Sequence, residues 1–112
     1  MRKTEAIDFS DERLLELAAD MLDDHNLTGA LKILNKNAEL NYNDDRSFML
    51  YAEIFDDMEL YERSINYWFR YLDEAPEGDL ADAYEGLAVD FMNIANEHFA
   101  AYYYNKLLIE TD

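Results

Sequence analysis

Apolar residues recur every three or four positions along most of the chain, which is the spacing of one buried face of an α-helix. Polar or turn-forming residues interrupt this pattern at five places: His25-Asn26, Tyr42-Asn43-Asp44, Met58-Glu59, Pro76-Glu77-Gly78 and Ala95-Asn96. With only three glycines and one proline, the chain has few other breaks. The pattern therefore predicts six helices joined by short turns, near residues 11–23, 27–40, 45–57, 61–74, 79–94 and 97–110.

Positions separated by 34 and then by 36 residues carry side chains of matching size, which indicates an internal repeat. Four sets are large and apolar, and two are small. The large sets are Leu14/Phe48/Tyr84, Leu17/Tyr51/Leu87, Met21/Phe55/Phe91 and Leu34/Trp68/Tyr104, and the small sets are Ala18/Ala52/Ala88 and Ala30/Ser64/Ala100. Small residues let two antiparallel helices approach closely, and the large ones fill the space beside the crossing. We expect a single domain, 1–112, of three helix–turn–helix units (11–42, 45–76 and 79–110) after an extension, 1–9.

The period and these sets resemble the tetratricopeptide repeat (TPR) family. The second unit matches it best, through Tyr51-Ala52, Phe55, Tyr61, Ser64, Trp68 and Pro76. The third unit lacks the turn glycine and the closing proline, and the first has Asn37 where the family prefers a small residue. The resemblance implies an all-α, right-handed α–α superhelix in which the first helix of each unit lines a concave surface. The alternative is an irregular six-helix bundle with the same core.

The charge of the chain limits its partners. It has 26 acidic and 9 basic residues, a formal net charge of −17, so it repels nucleic acid and anionic membrane surfaces. Half of its residues are hydrophobic, enough for a folded domain. The absence of cysteine removes disulfides and thiolate metal sites. No apolar run reaches the ~18 residues of a membrane span, and we expect a cytoplasmic protein.

The residues that could support catalysis are sparse. His25 and His98 fall in predicted turns of different units, and no His-x-x-x-His or Glu-x-x-His spacing occurs. The glycines form no phosphate-binding loop, and the aspartates form no calcium loop. We therefore predict no enzymatic activity, no cofactor and no metal. An enzyme would need a pocket that joins tyrosine and carboxylate side chains with strongly perturbed pKa values.

A binding function is favoured by the side chains predicted to face the concave surface, which form an acidic groove with an apolar floor. Seven carboxylates accompany one arginine. The set is Glu12, Leu15, Ala19, Leu22 and Asp23 in the first helix; Arg46, Met49, Glu53, Asp56 and Asp57 in the third; and Asp82, Glu85, Val89, Met92 and Asn93 in the fifth. Such a groove suits a basic or amphipathic polypeptide segment. The alternative is a surface that is acidic throughout for solubility.

The resemblance offers three further expectations. Some TPR proteins grip acidic C-terminal tails with Lys, Arg and Asn, but this chain has Leu15, Ala19, Leu50, Asp82 and Gly86 at the matching positions, which excludes that mode. A small acidic chaperone that protects an aggregation-prone client is the second candidate function. The last helix ends without a polar capping helix, so the chain is expected to continue in a longer repeat array or to form a homodimer, with the first preferred.

Overall fold

A computed structural model describes residues 8–74 and 80–111. Within these residues the structure contains helices only, six in number, and no strand. They are α1 (Asp11–Asp23), α2 (Leu27–Leu40), α3 (Asp45–Asp57), α4 (Tyr61–Glu74), α5 (Leu80–Asn93) and α6 (Glu97–Thr111). The predicted six-helix, all-α architecture is confirmed, with the bounds of α5 and α6 differing by one residue at three ends. The Pro76-Glu77-Gly78 connection and the first seven residues of the N-terminal extension lie outside the described residues.

Four helices begin with a side chain that accepts a hydrogen bond from a backbone N–H three residues later; before α6 it is Asn96, which accepts from the Phe99 N–H at 3.2 Å. Ser10 accepts from the Arg13 N–H at the start of α1. Asn26 and Asp44 do the same for Gly29 and Ser47 at the starts of α2 and α3. Each bond satisfies one of the four N–H groups that a helix leaves unpaired at its first turn. These polar residues therefore fix where the helices start.

The turn inside each helical pair closes with the same backbone hydrogen bonds. Asn26 N–H donates to Met21 O, Leu60 N–H to Phe55 O and Asn96 N–H to Phe91 O, each at 2.8 Å. The residues just before these donors, His25, Glu59 and Ala95, have φ values of 59°, 62° and 61°. This combination is the Schellman ending of a helix. The three turns are separated by the same 34- and 36-residue steps as the side-chain sets.

The helices form two compact units that divide between Tyr42 and Asn43. In the first, α1 packs against α2 around Leu14, Ala18, Ala30 and Leu34. At one end of this pair, Asn37 is fully buried, and its amide donates to Asp11 Oδ1 at 2.8 Å. Asn41 in turn donates to Asn37 Oδ1 at 2.8 Å. Asn37, which departs from the repeat pattern, is thus held by hydrogen bonds with Asp11 and Asn41.

In the second unit, α3 packs on α4, α4 on α5, and α5 on α6, while α3 also touches α5. Aromatic rings fill both pairs in the same way. The Phe55 and Tyr67 ring centroids lie 5.6 Å apart, and those of Phe91 and Tyr103, 36 residues later, lie 5.8 Å apart. This recurrence shows that the two pairs are built alike.

The side-chain sets behave as the repeat predicts, with one exception. All six small residues are buried, and Trp68 is only 4% exposed. Tyr104, the third member of the Leu34/Trp68 set, is 55% exposed instead. The reason is that Trp68 is covered by α5, whereas no described helix comes after α6 to cover Tyr104. None of the described helices combines the length and the apolar content needed to cross a bilayer.

Candidate functional site

The structure brings five of the predicted groove residues together at a small cavity between α3 and α5. The acidic cavity has a volume of about 230 Å³. It is lined by Glu53 and Asp56 of α3, by Trp68 of α4, and by Asp82, Glu85, Gly86 and Val89 of α5. Its wall therefore carries four carboxylates from two neighbouring helices. Residues of the third and fifth helices thus line one cavity in this unit.

The floor of the acidic cavity depends on a glycine. A Cβ added at Gly86 would overlap Nε1 and Cε2 of Trp68 and come within 2.8 Å of Cζ2. The indole can therefore reach α5 only because residue 86 has no side chain. Among the described residues, the Trp68 N–H has no hydrogen-bond partner. The missing side chain at position 86 thus makes room for an aromatic ring.

A second, apolar groove of about 610 Å³ lies on α5 and α6, and we call it the apolar groove. Its lining is Ala88, Val89, Met92, Asn93, Glu97, Ala100, Ala101 and Tyr104. Three predicted site residues, Val89, Met92 and Asn93, belong to it. Val89 also lines the acidic cavity, so the two sites adjoin. Met92 is 58% exposed and Tyr104 is half exposed, which leaves a large apolar surface open to solvent.

The other predicted groove residues line neither the acidic cavity nor the apolar groove. Arg46 is exposed and forms an ion pair of 2.8 Å with Asp44. Met49 is half-buried against the core of the second unit, and Asp57 is exposed at the end of α3. In the first unit, Leu15 and Leu22 are buried in the core, Ala19 is half-buried, and Glu12 and Asp23 are exposed.

Arg46, the one cation of the predicted groove, lies next to Asp44 and lowers the pKa of that carboxyl. Desolvation would raise the pKa of Asp44, but hydrogen bonds from Arg46 and from the Ser47 backbone outweigh it and lower this pKa. Asp44 therefore stays charged and keeps Arg46 paired.

Sequence reasoning missed Asp90, which is completely buried at the junction of α3, α4 and α5. It lies beside Asp56 and Ser64, yet neither of its carboxyl oxygens has a hydrogen bond of good geometry to any described residue. The Ser64 hydroxyl donates to Ala52 O at 2.8 Å, so toward Asp90 it can only accept. Desolvation, with Asp56 next to it, raises the pKa of Asp90 to about 8. Asp90 is therefore mainly protonated at neutral pH.

The signal for Asp90 was present in the sequence as an aspartate inside the apolar stretch Leu87-Ala88-Val89-Asp90-Phe91. A perturbed carboxyl next to Asp56 is the feature that an enzymatic reading would require. However, Asp90 has no solvent-exposed surface, so no substrate reaches it in this conformation. Asp90 is therefore internal, whereas its neighbour Asp56 lines the acidic cavity.

The two histidines are exposed: His25 lies in the α1–α2 turn, and His98 lies in the first turn of α6 rather than in the preceding turn. Within residues 8–74 and 80–111, no set of three or more His, Asp or Glu side chains is arranged to hold a metal ion.

Comparisons of the chain with protein-family models, with curated proteins and with solved structures found no match. The resemblance to TPR proteins therefore stays a prediction from the sequence.

Proposed function

We propose that this chain is a non-enzymatic protein-interaction scaffold that binds a basic or amphipathic polypeptide segment. The observation that carries the proposal is that Val89 lines both the acidic cavity and the apolar groove, so the two surfaces are neighbours on α5. A segment with cationic residues on one side and apolar residues on the other would match both surfaces at once. The proposed partner is a protein or peptide, met in the cytoplasm.

The chemistry of the two surfaces supports such a ligand. Lysine or arginine side chains would pair with carboxylates on α3 and α5, which favours fast association and a strong dependence on salt. Apolar side chains would lie on Met92 and Tyr104, and methionine adapts its shape to different partners. A ligand of this kind lowers the repulsion among the carboxylates and covers apolar surface in the same event.

A TPR-like arrangement is part of this proposal. In that family the first helix of each pair faces the ligand, and here α3 and α5 both contribute to the acidic cavity. We propose that the helical pairs follow the right-handed superhelix of TPR proteins.

The test is a titration of the full chain into a dye-labelled amphipathic peptide built from leucine, lysine and arginine, followed by fluorescence anisotropy. Replacing one cavity carboxylate on each helix, Glu53→Lys with Glu85→Lys, should weaken binding at least tenfold. It should also reduce the slope of log Kd against log salt concentration, because fewer ion pairs form.

The matched control is Glu62→Lys with Asp73→Lys, which changes the net charge equally at exposed positions of α4. The comparison is made at high salt, where the difference in net charge is screened. There the Kd of this control should stay within about twofold of the wild-type Kd. Equal weakening by the two double variants would show that the whole acidic surface attracts the peptide. The proposed site would then be wrong, and solubility would explain the charge.

A small acidic chaperone is a second candidate function, favoured by the open apolar groove. A chaperone would keep a basic, aggregation-prone client soluble during co-expression, and Met92→Glu should abolish that effect. A scaffold would capture its partner without changing the partner's solubility.

A further inference from the structure

The apolar groove on α5 and α6 has a counterpart 36 residues earlier in the second unit. The repeat step relates three residues of the groove, Ala88, Ala101 and Tyr104, to Ala52, Ile65 and Trp68. These counterparts are buried in one core cluster with Ala83 and Leu87 of α5. In the groove, by contrast, Ala101 and Tyr104 are exposed. The same kind of surface is thus covered by a helix in one place and open to solvent in the other.

The way in which α5 covers α3 and α4 shows what such a surface accepts. Gly86 meets Trp68, and no side chain would fit between them. Asp90 lies one helical turn later on α5, beside Asp56 and Ser64. Residues four positions apart share one face of a helix. The covering helix therefore has a small residue against the aromatic ring and, four positions later, a side chain that faces the floor.

The apolar groove keeps the aromatic ring but has apolar side chains in place of the polar ones. The groove residues that correspond to Trp68, Asp56 and Ser64 are Tyr104, Met92 and Ala100. A helix that covers the groove therefore needs a small residue against Tyr104. Four positions later it needs an apolar side chain, because Met92 and Ala100 would leave a buried polar group without a strong hydrogen-bond partner.

The charges of α5 and α6 indicate the outer side of that helix. Glu97 lines the groove and is exposed, and the two helices together carry five acidic residues and one lysine. The lysine, Lys106, has its Nζ over the Tyr84 and Tyr102 rings, 5.7 and 5.2 Å from their centroids. A cationic helix would be attracted, whereas a second copy of this chain, with its formal charge of −17, would be repelled.

We propose that the apolar groove receives an amphipathic α-helix of the partner polypeptide, in the place on α5 and α6 that α5 itself takes on α3 and α4. This helix has glycine or alanine against Tyr104, an apolar residue four positions later against Met92 and Ala100, and lysine or arginine on its outer side. The partner thus extends the packing of the second unit by one helix. The inference deepens the proposed function and rests on it.

The test uses the full chain and three dye-labelled peptides of about 16 residues, slightly longer than the 14 residues of α5. The first peptide has lysines on one face and leucines on the other, with a single alanine one turn before the central leucine. The second has phenylalanine in place of that alanine. The third has two central prolines, which prevent a helix without changing the charge. Fluorescence anisotropy gives the Kd of each.

The alanine peptide should bind about tenfold more tightly than the phenylalanine peptide, because the larger ring would overlap Tyr104. It should also bind at least tenfold more tightly than the proline peptide. Circular dichroism at 222 nm should show more helix in the mixture than in the separate components, since a free peptide of this length is only partly helical.

Two variants locate the contact. Tyr104→Ala removes the ring and should bring the Kd of the phenylalanine peptide to within about threefold of the Kd of the alanine peptide. Tyr102→Ala makes the same change at an exposed position of α6 outside the groove and should leave the tenfold preference intact. Thermal unfolding checks that both variants are folded.

Four results would overturn the inference. They are equal Kd values for the alanine and phenylalanine peptides, a preference that persists in Tyr104→Ala, equal binding of the proline peptide, and a wild-type dimer that Met92→Glu converts to a monomer in sedimentation. The last result would mean that a second copy covers the groove.

Failure of the inference is distinguishable from failure of the proposed function. If the proline peptide binds as well as the alanine peptide, and salt weakens both, the scaffold function stands and the helical docking falls. If none of the three peptides binds, the proposed function itself falls.

Discussion

Three non-glycine residues adopt the left-handed backbone conformation, one in each turn inside a helical pair. They are His25, Glu59 and Ala95. A Cβ in this region approaches the following carbonyl oxygen, at a cost of roughly 1–2 kcal/mol. The Schellman hydrogen bonds keep the conformation in place despite that cost. Each turn therefore carries strain that a glycine would relieve.

We expect Ala95→Gly to raise the free energy of unfolding by about 0.5–1 kcal/mol. The gain from relieving the left-handed strain exceeds the entropy that glycine adds to the unfolded chain. The matched control is Ala101→Gly, the same chemical change at an exposed position inside α6, which should lower stability by about 1 kcal/mol. Urea unfolding measures both, and a loss of stability in both variants would contradict the strain argument.

Asp90 makes the stability of the second unit depend on pH. Its folded-state pKa of about 8 lies above the value of an unfolded aspartate, so between pH 4 and pH 8 the unfolded chain releases a proton that the folded chain keeps. This contribution to stability is full below about pH 4 and is lost as pH rises toward 8, by up to about 1.4 kcal/mol per pH unit.

We expect Asp90→Asn to become progressively more stable than wild type as pH rises from 4 to 8, because the amide cannot ionise. The difference between the two unfolding free energies is the quantity to measure, since it cancels the titration of the other carboxylates. Asp73→Asn, which changes an exposed residue, should show a difference that is flat with pH. A flat difference for Asp90→Asn as well would mean that the buried carboxyl is not shifted.

At the scale of the helices, α4 and α5 pack closely because the large side chain of Trp68 on α4 meets Gly86 on α5, which has no side chain. Trp68 fills the space that a Cβ at residue 86 would occupy. Its edge also meets Tyr71, with ring centroids 6.1 Å apart at 89°. The indole is thus held from two sides and has little room to rotate away.

We expect Gly86→Ala to destabilise the protein by roughly 1–3 kcal/mol, although alanine is the better helix former. The added methyl group forces α4 and α5 apart or moves the indole toward solvent. Urea unfolding gives the free energy, and a red shift of the Trp68 emission reports the movement of the ring. Asn66→Ala at an exposed site of α4 controls for helix propensity and should be neutral or stabilising. An equally stable Gly86→Ala protein would show that the contact is looser than described.

Helix α6 differs from the others because only Ala100 is buried along its length. One side of it packs on α5 through Tyr103, which stacks on Phe91 with an interplanar angle of 3°. A second flank of the helix carries Tyr104 and Leu108, both half exposed. The helix is apolar on two sides, and only one of them has a neighbour among the described helices.

At the scale of the molecule, the helices and their pairing could be predicted from the sequence because both depend on local rules. Ser10, Asn26 and Asp44 mark helix starts through short-range hydrogen bonds, and the spacing of apolar residues marks the buried faces. The small residues Ala52 and Ser64 are buried in the second unit as the repeat requires. Helix caps and apolar spacing connect residues only a few positions apart, and the small residues recur after one repeat length.

The site was predictable only in part, because its details depend on contacts between helices. Glu53 and Glu85 lie within the predicted third and fifth helices. The role of Gly86, in contrast, became visible only when Trp68 was seen against it. Likewise, the exposure of Tyr104 depends on which helices pack against α6. The burial of Asp90 results from the junction of three helices, which no local pattern encodes.

The open apolar groove has a consequence for how the protein behaves in concentrated solution. At neutral pH the molecules carry a formal charge of −17, and their mutual repulsion keeps these apolar surfaces apart. Near the isoelectric point of about 4.1 that repulsion vanishes while Met92, Tyr104 and Ile109 remain exposed. We therefore expect solubility to fall sharply within a narrow pH range around this point. Added salt should also lower the solubility at neutral pH, because it screens the repulsion between molecules. The negative charge of this protein thus keeps it in solution despite its exposed apolar surface.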